Sequence, residues 1–220
     1  MTEFDQYSNN YDFIFKRNIG YFAKDIDYFA KYKIRLLESK ISFKPIRILE
    51  YGCGTGKNLK FLRLKFNKSK LYGYDPSKES LKIAEKNNLE TCFFGSKEKI
   101  DGKFDIILVA CVLHHINPND LENNLRFIKE KLSKNGLVFV FEHNPLNPLT
   151  RYLVSTCPFD KNAVLIRRSK LIEIMQRLEY KNINSEYCMF FPEKLSFLNS
   201  IEMFLTKIPL GGQYLVFANK

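Results

Sequence analysis

Three glycines at alternate positions, Gly52, Gly54 and Gly56, separate an apolar run from a helical one. Ile46-Arg47-Ile48-Leu49 before them suits a buried strand, and Leu59, Phe61, Leu62 and Phe66 after them recur at helical spacing. A strand, a glycine turn and a helix form a cradle for a nucleotide. Glycine lets the backbone turn sharply and approach a ligand where a β-carbon would collide. The glycine spacing then decides which nucleotide.

A dinucleotide turn reads G-x-G-x-x-G, with its third glycine where strand and helix pack closely. Counted from Gly52 that glycine is needed at Lys57, and counted from Gly54 it is needed at Leu59. Both frames fail, which disfavours an NAD-dependent oxidoreductase. A phosphate loop ending in Gly-Lys-Ser/Thr fails as well, because Asn58 follows Gly56-Lys57. What stands here is an acid, Glu50, at the strand end, followed by the three glycines. An acid aimed into the turn repels phosphate and suits a cationic amine. The ligand it favours has an amino-acid end and no phosphate.

In order along the chain, these pieces resemble a class I S-adenosylmethionine-dependent methyltransferase. Glu50 to Gly56 resembles the family's first motif, which lies against the methionine part of the cofactor. Leu71-Tyr72-Gly73-Tyr74-Asp75-Pro76 resembles its second strand, whose terminal acid takes both ribose hydroxyls. Two carboxylate oxygens match a vicinal diol, and Asp75 follows Gly54 by about the twenty residues that one helix and one strand require. Phe104 to His115 resembles the fourth strand and the loop beside the methyl group. With the fifth strand, the resemblance spans residues 46 to 142. It implies S-adenosyl-L-methionine as cofactor, S-adenosyl-L-homocysteine as product, and a site built from Glu50, Gly52, Cys53, Gly54, Gly56, Tyr74, Asp75, Pro76 and Cys111. Many members place an acid after the third strand to receive the adenine amino group. Here Cys92-Phe93-Phe94-Gly95-Ser96 has Ser96 in that place. Ser96 can still accept a hydrogen bond, and Phe94 or Tyr74 offers a face for adenine.

The implied fold is a Rossmann-like α/β sheet of seven mostly parallel strands, the last one antiparallel. Strands are expected near 46–51, 71–75, 91–94, 104–110, 137–142, 182–190 and 212–218. Helices are expected near 25–40, 57–67, 77–88, 120–133 and 169–178, with Asn135-Gly136 stopping the fourth. A single domain accounts for 220 residues: an N-terminal extension or helical lid (1–45), a cofactor-binding half (46–142) and a substrate-side half (143–220). In similar enzymes the extension covers cofactor and substrate, which makes Tyr7 and Tyr11 candidates for lining it. Residues 143–168 read as a proline-stiffened loop at the carboxyl edge of the sheet. Residues 190–212 read as an insertion before the last strand. In it Leu195, Leu198, Ile201, Leu205 and Ile208 recur at helical spacing, as a helix packed over sheet or pocket would require. A dimer face or an interfacial membrane helix is the other reading.

The five cysteines form no C-x-x-C pair and no zinc spacing, so no metal is expected and reduced thiols in the cytoplasm are the simple reading. No apolar stretch follows a basic start, and no run reaches the length of a membrane span. The net charge is +11, and residues 1–70 hold fifteen Lys/Arg against seven Asp/Glu, hence +8 of it. A solvated lysine-rich surface explains this, while an anionic partner such as RNA or an acidic membrane face is the sharper alternative.

Methyl transfer needs the acceptor, the methyl carbon and sulfur held in line, and a hydroxyl acceptor must also lose a proton. The chain has three histidines, His114, His115 and His143, on the loops after the fourth and fifth strands. Histidine titrates near neutral pH, so His143 first and His115 second are the candidate bases. A side chain held by backbone hydrogen bonds is the alternative for each. Ala110-Cys111-Val112-Leu113 stands where an Asn/Asp-Pro-Pro-Tyr loop would mark amino methylation of bases or glutamine. The expected acceptor is therefore a small-molecule hydroxyl, with sugar, phenolic and lipid-linked compounds in view. RNA or protein methylation is the alternative, and a silent fold that only binds a partner is a third.

Overall fold

The computed structural model describes Gly20 and residues 22–220. Among these, seven strands form one sheet in the order β3-β2-β1-β4-β5-β7-β6. The strands are β1 (Arg47–Tyr51), β2 (Lys70–Tyr74), β3 (Thr91–Phe94), β4 (Phe104–Ala110), β5 (Leu132–His143), β6 (Lys181–Cys188) and β7 (Gln213–Asn219). β1 pairs in parallel with both β2 and β4, and β4 in parallel with β5. β7 runs antiparallel to β5 and β6. This is the sheet expected of the family.

Helices cover both faces because the central strands are apolar throughout. Ile106, Ile107, Leu108 and Val109 of β4 are all fully buried, as in a parallel sheet packed on two sides. One core layer gathers Leu49, Tyr51, Ile107 and Val109 with Leu125 of α4 (Leu121–Lys131) and Leu171 and Met175 of α6 (Arg168–Arg177). The other gathers Ile48, Ile106 and Leu108 with Ile34 and Leu37 of α1 (Tyr28–Ser39) and Leu59 and Leu62 of α2 (Lys57–Lys65). The alternation along β1 and β4 thus sends successive residues to opposite layers.

Three segments depart from the sequence expectation. Asn135-Gly136 does not end α4, which stops at Lys131; it lies within β5, where the register shifts between Phe104 and Ile106. The extra residues are accommodated as a bulge, and a β-carbon on Gly136 would meet the Phe104 carbonyl oxygen at 2.7 Å. Residues 148–156, read as loop, form helix α5 (Pro148–Thr156), capped by the Asn147 side chain accepting from the Leu149 and Thr150 amides. The insertion is not one amphipathic helix. It is 3₁₀ turns over Glu193–Ile201 and a single turn, Glu202–Leu205, with Phe197 and Phe204 exposed. Its anchor is polar. The buried Glu202 carboxylate accepts from the Tyr32 hydroxyl of α1 and from the Phe190 amide.

Candidate active site

The turn after β1 is shaped by two backbone requirements. Gly52 has φ +77°, and a β-carbon there would lie 2.4 Å from Val112 Cγ2, so only glycine lets the β4 loop close on it. Gly54 has φ +52° and nothing within 4 Å of its would-be β-carbon. Its backbone faces the open volume of a cavity of about 590 Å³ at the carboxyl ends of the strands, where open α/β sheets bind ligands.

Two acids close this end. Asp75, the residue after β2, accepts from the Gly54 amide at 2.7 Å and the Ser77 amide at 2.9 Å, which bolts the turn to the neighbouring strand. Glu50 is 1 % exposed; its Oε1 accepts from Asn58 Nδ2 at 2.6 Å, and its Oε2 has no hydrogen-bond partner. Burial raises its carboxyl to about 8. A buried carboxylate oxygen without a partner, lining a cavity, is a receptor for a cation. An amino-acid ammonium meets that requirement. Lys33 of α1, only 7 % exposed, also lines the cavity and donates to Cys111 Sγ at 3.6 Å, where Gln213 Nε2 joins it at 3.2 Å. Cys111 holds φ +58°, a conformation that non-glycine residues adopt at a cost of about 1–3 kcal/mol.

The far wall carries the three histidines. His114 is buried with Nδ1 2.5 Å from Glu142 Oε2, while Glu142 Oε1 accepts from the Val112 and Leu113 amides at 3.0 and 2.7 Å. Asp160, from the turn Pro158–Asp160, places Oδ1 3.6 Å from His114 Nε2 and 3.4 Å from His115 Nε2. Burial alone would lower the His114 imidazole, but the Glu142 charge and hydrogen bonds to Asp160 and Glu142 take it up to about 10. Burial and the neighbouring His114 charge push both His115 and His143 down to about 4. The His143 ring lies 5.0 Å from that of His114. At neutral pH this wall holds one imidazolium between two carboxylates, with two neutral imidazoles beside it.

Of the residues expected from sequence, Glu50, Gly52, Cys53, Gly54, Asp75, Pro76, Cys111, His115 and His143 line this cavity together. Three do not. Gly56 sits behind it as the left-handed N-cap of α2. The Tyr74 ring turns into the core against Tyr51, 4.8 Å between centroids, because it precedes Asp75 on a strand and so faces the other way. Only its carbonyl serves the turn, accepting from the Gly52 and Cys53 amides. Ser96 lies at the start of the turn Lys97–Lys99, outside the cavity lining, and Tyr11 and Tyr7 lie outside the described residues. Lys33, Glu142, Asp160 and Gln213 belong to the site and were not anticipated.

The methyltransferase-domain family model matches residues 21–193, most of the chain. This chain belongs to the class I S-adenosylmethionine-dependent methyltransferases, and S-adenosylmethionine is its cofactor. The methyltransferase is 25% identical over 193 residues to an uncharacterized protein of Methanocaldococcus jannaschii, covering 86% of each chain. It is 28% identical over 151 residues to the demethylmenaquinone methyltransferase of Thermotoga maritima, covering 67% of this chain and 62% of that one. Its fold is similar to the crystal structure of a methyltransferase from Archaeoglobus fulgidus, with a TM-score of 0.71 at 18% identity, over 96% of this chain and 100% of that one. No helix among the described residues is long and apolar enough to cross a membrane.

Proposed function

We propose that this methyltransferase methylates a hydroxyl oxygen on a small molecule with an apolar body. One observation carries the reading: two imidazoles, His143 and His115, line the same cavity as the glycine turn.

The cofactor supplies an electrophilic methyl group on a sulfonium, transferred by in-line displacement. The chain's own residues hold it. Glu50 Oε2, buried and without a hydrogen-bond partner, receives the ammonium. Lys33 faces the carboxylate, and Asp75 takes the ribose hydroxyls while keeping its two amide donors. Gly52, Cys53, Gly54, Pro76 and Cys111 line the surrounding wall, with Gly56 and the Tyr74 carbonyl supporting the turn from behind. Tyr11 remains a candidate from the N-terminal extension.

The acceptor side is apolar. Phe159, Phe190, Phe191, Leu149 and Leu153 line it, which suits a phenolic or lipid-like body and excludes bulk water around the nucleophile. A hydroxyl entering there must give up its proton, and His143 is the group placed to accept it, with His115 the second.

The test is a panel of phenols, quinols and sugar alcohols incubated with isotope-labelled methyl donor, with product connectivity read by mass spectrometry. His143→Ala is expected to lower kcat about 10²- to 10⁴-fold while leaving S-adenosylhomocysteine affinity unchanged. A methyl group found on nitrogen or carbon, or a His143→Ala variant with full kcat, would overturn the reading.

A further inference from the structure

We infer that His114, His115 and Asp160 form a binding site for a divalent first-row transition ion in the wall of the cavity. The site rests on the coordinates of three side chains, and only the ion's role depends on the methyl-transfer reading above.

One ring nitrogen of His114, one of His115 and an Asp160 carboxylate oxygen all lie within 4.8 Å of one another. A tetrahedral ion with bonds of about 2.0–2.1 Å needs its ligand atoms about 3.3–3.4 Å apart. The two edges to Asp160 measure 3.6 and 3.4 Å. One already has the required length and the other exceeds it by about 0.2 Å, and the two imidazole rings lie 4.1 Å apart at their centroids. Two imidazole nitrogens and one carboxylate oxygen form a donor set that zinc and ferrous iron accept.

The surroundings are those of a metal-ligating histidine. Glu142 Oε2 sits 2.5 Å from His114 Nδ1, and Glu142 is itself fixed by the Val112 and Leu113 amides. A carboxylate holding the Nδ1 proton orients the ring, the usual support for such ligands, and an ion binding at Nε2 displaces the proton that Nε2 otherwise directs toward Asp160. The backbone is pinned as well, since the His114 carbonyl accepts from the Val164 amide at 2.8 Å. All three ligands line the cavity, which leaves the remaining coordination position open toward the acceptor, as in catalytic rather than structural sites. An ion there supplies Lewis acidity to an acceptor oxygen, and His143, outside the ligand set, stays available for the proton.

The experiment uses the full chain, stripped with chelator and titrated with Co(II) while visible d–d absorption is followed, with S-adenosylhomocysteine affinity measured in parallel. The expected result is one Co(II) per chain, displaced by Zn(II), without the thiolate charge-transfer band that Cys92 ligation would give. Asp160→Asn and His115→Asn are each expected to weaken Co(II) by at least about tenfold, and Glu142→Gln by about 10- to 100-fold. Retained cofactor-product affinity in any one of these variants shows that it is folded. Absence of Co(II) and Zn(II) binding in a chain that binds S-adenosylhomocysteine overturns the site and leaves His114 as a proton-bearing bridge between two carboxylates. Binding that survives both ligand substitutions also overturns it. Metal binding without S-adenosylhomocysteine binding would instead count against the cofactor assignment alone.

Discussion

His114 Nδ1 and Glu142 Oε2 lie 2.5 Å apart with both side chains about 1 % exposed, joining the ends of two adjacent strands beneath the acceptor wall. Glu142 also receives two amides of the turn that carries His114 and His115. Its Cα stands opposite Tyr214 of β7, so the bond ties that turn to the middle of the sheet.

Removing one partner of a buried, hydrogen-bonded pair leaves the other uncompensated. Glu142→Ala is therefore expected to cost about 3–5 kcal/mol of stability, and Glu142→Gln, which keeps an acceptor for the amides, less. Urea denaturation measures both, and an unchanged midpoint in Glu142→Ala would show that the turn is held by other contacts.

Glu50 gives a pH dependence of definite sign. Its carboxyl titrates at the ordinary 4.5 when unfolded and at about 8 when folded, so across that window the folded chain retains a proton that the unfolded chain has lost. Stability of the cofactor-free protein falls as pH rises through the window and is level above it. A cationic ammonium selects the ionised form, so affinity for S-adenosylhomocysteine should rise from about pH 6 to about pH 8, by up to about tenfold per unit, then flatten. Calorimetric titration at several pH values checks this, with Glu50→Gln expected to abolish the slope. A pH-independent affinity in the native protein would remove Glu50 from ammonium binding.

Lys33 reaches the cavity from α1, and its proposed partner is the carboxylate of the cofactor. Lys33→Met should weaken S-adenosylhomocysteine by about tenfold or more, the worth of a hydrogen bond to a charged group. Methylthioadenosine, which lacks the amino-acid arm, should bind both proteins equally. Equal loss for the two ligands would mean that Lys33 supports the cavity rather than the carboxylate.

Much of the donor half was legible because its chemistry is local. The glycine turn, Glu50 at the end of one strand and Asp75 at the end of the next are contiguous motifs at fixed spacing. The Tyr74 ring, read from sequence as a face for adenine, turns into the core instead, because neighbours on a strand face opposite ways. Asn147-Pro148 was a helix-start signal, an N-cap residue followed by proline at the first helical position, yet the weak periodicity behind it masked α5. In the insertion, apolar spacing suggested a long helix, but Phe197 and Phe204 remain exposed and the contact that anchors the segment is the polar Glu202–Tyr32 pair. Lys33 and Asp160 lie far in sequence from the motifs they join. Only the folded sheet brings Lys33 to Cys111 and Asp160 to the histidines, and no spacing rule encodes that.

The most direct test is calorimetric titration of S-adenosylhomocysteine into the native protein and into Asp75→Ala. One site per chain is expected in the native protein, with affinity about 10- to 100-fold weaker once the charged acceptor of the ribose hydroxyls is gone. No heat from a folded native protein, tighter binding of NAD, or an Asp75→Ala variant with unchanged affinity would contradict a cofactor seated between the glycine turn and Asp75.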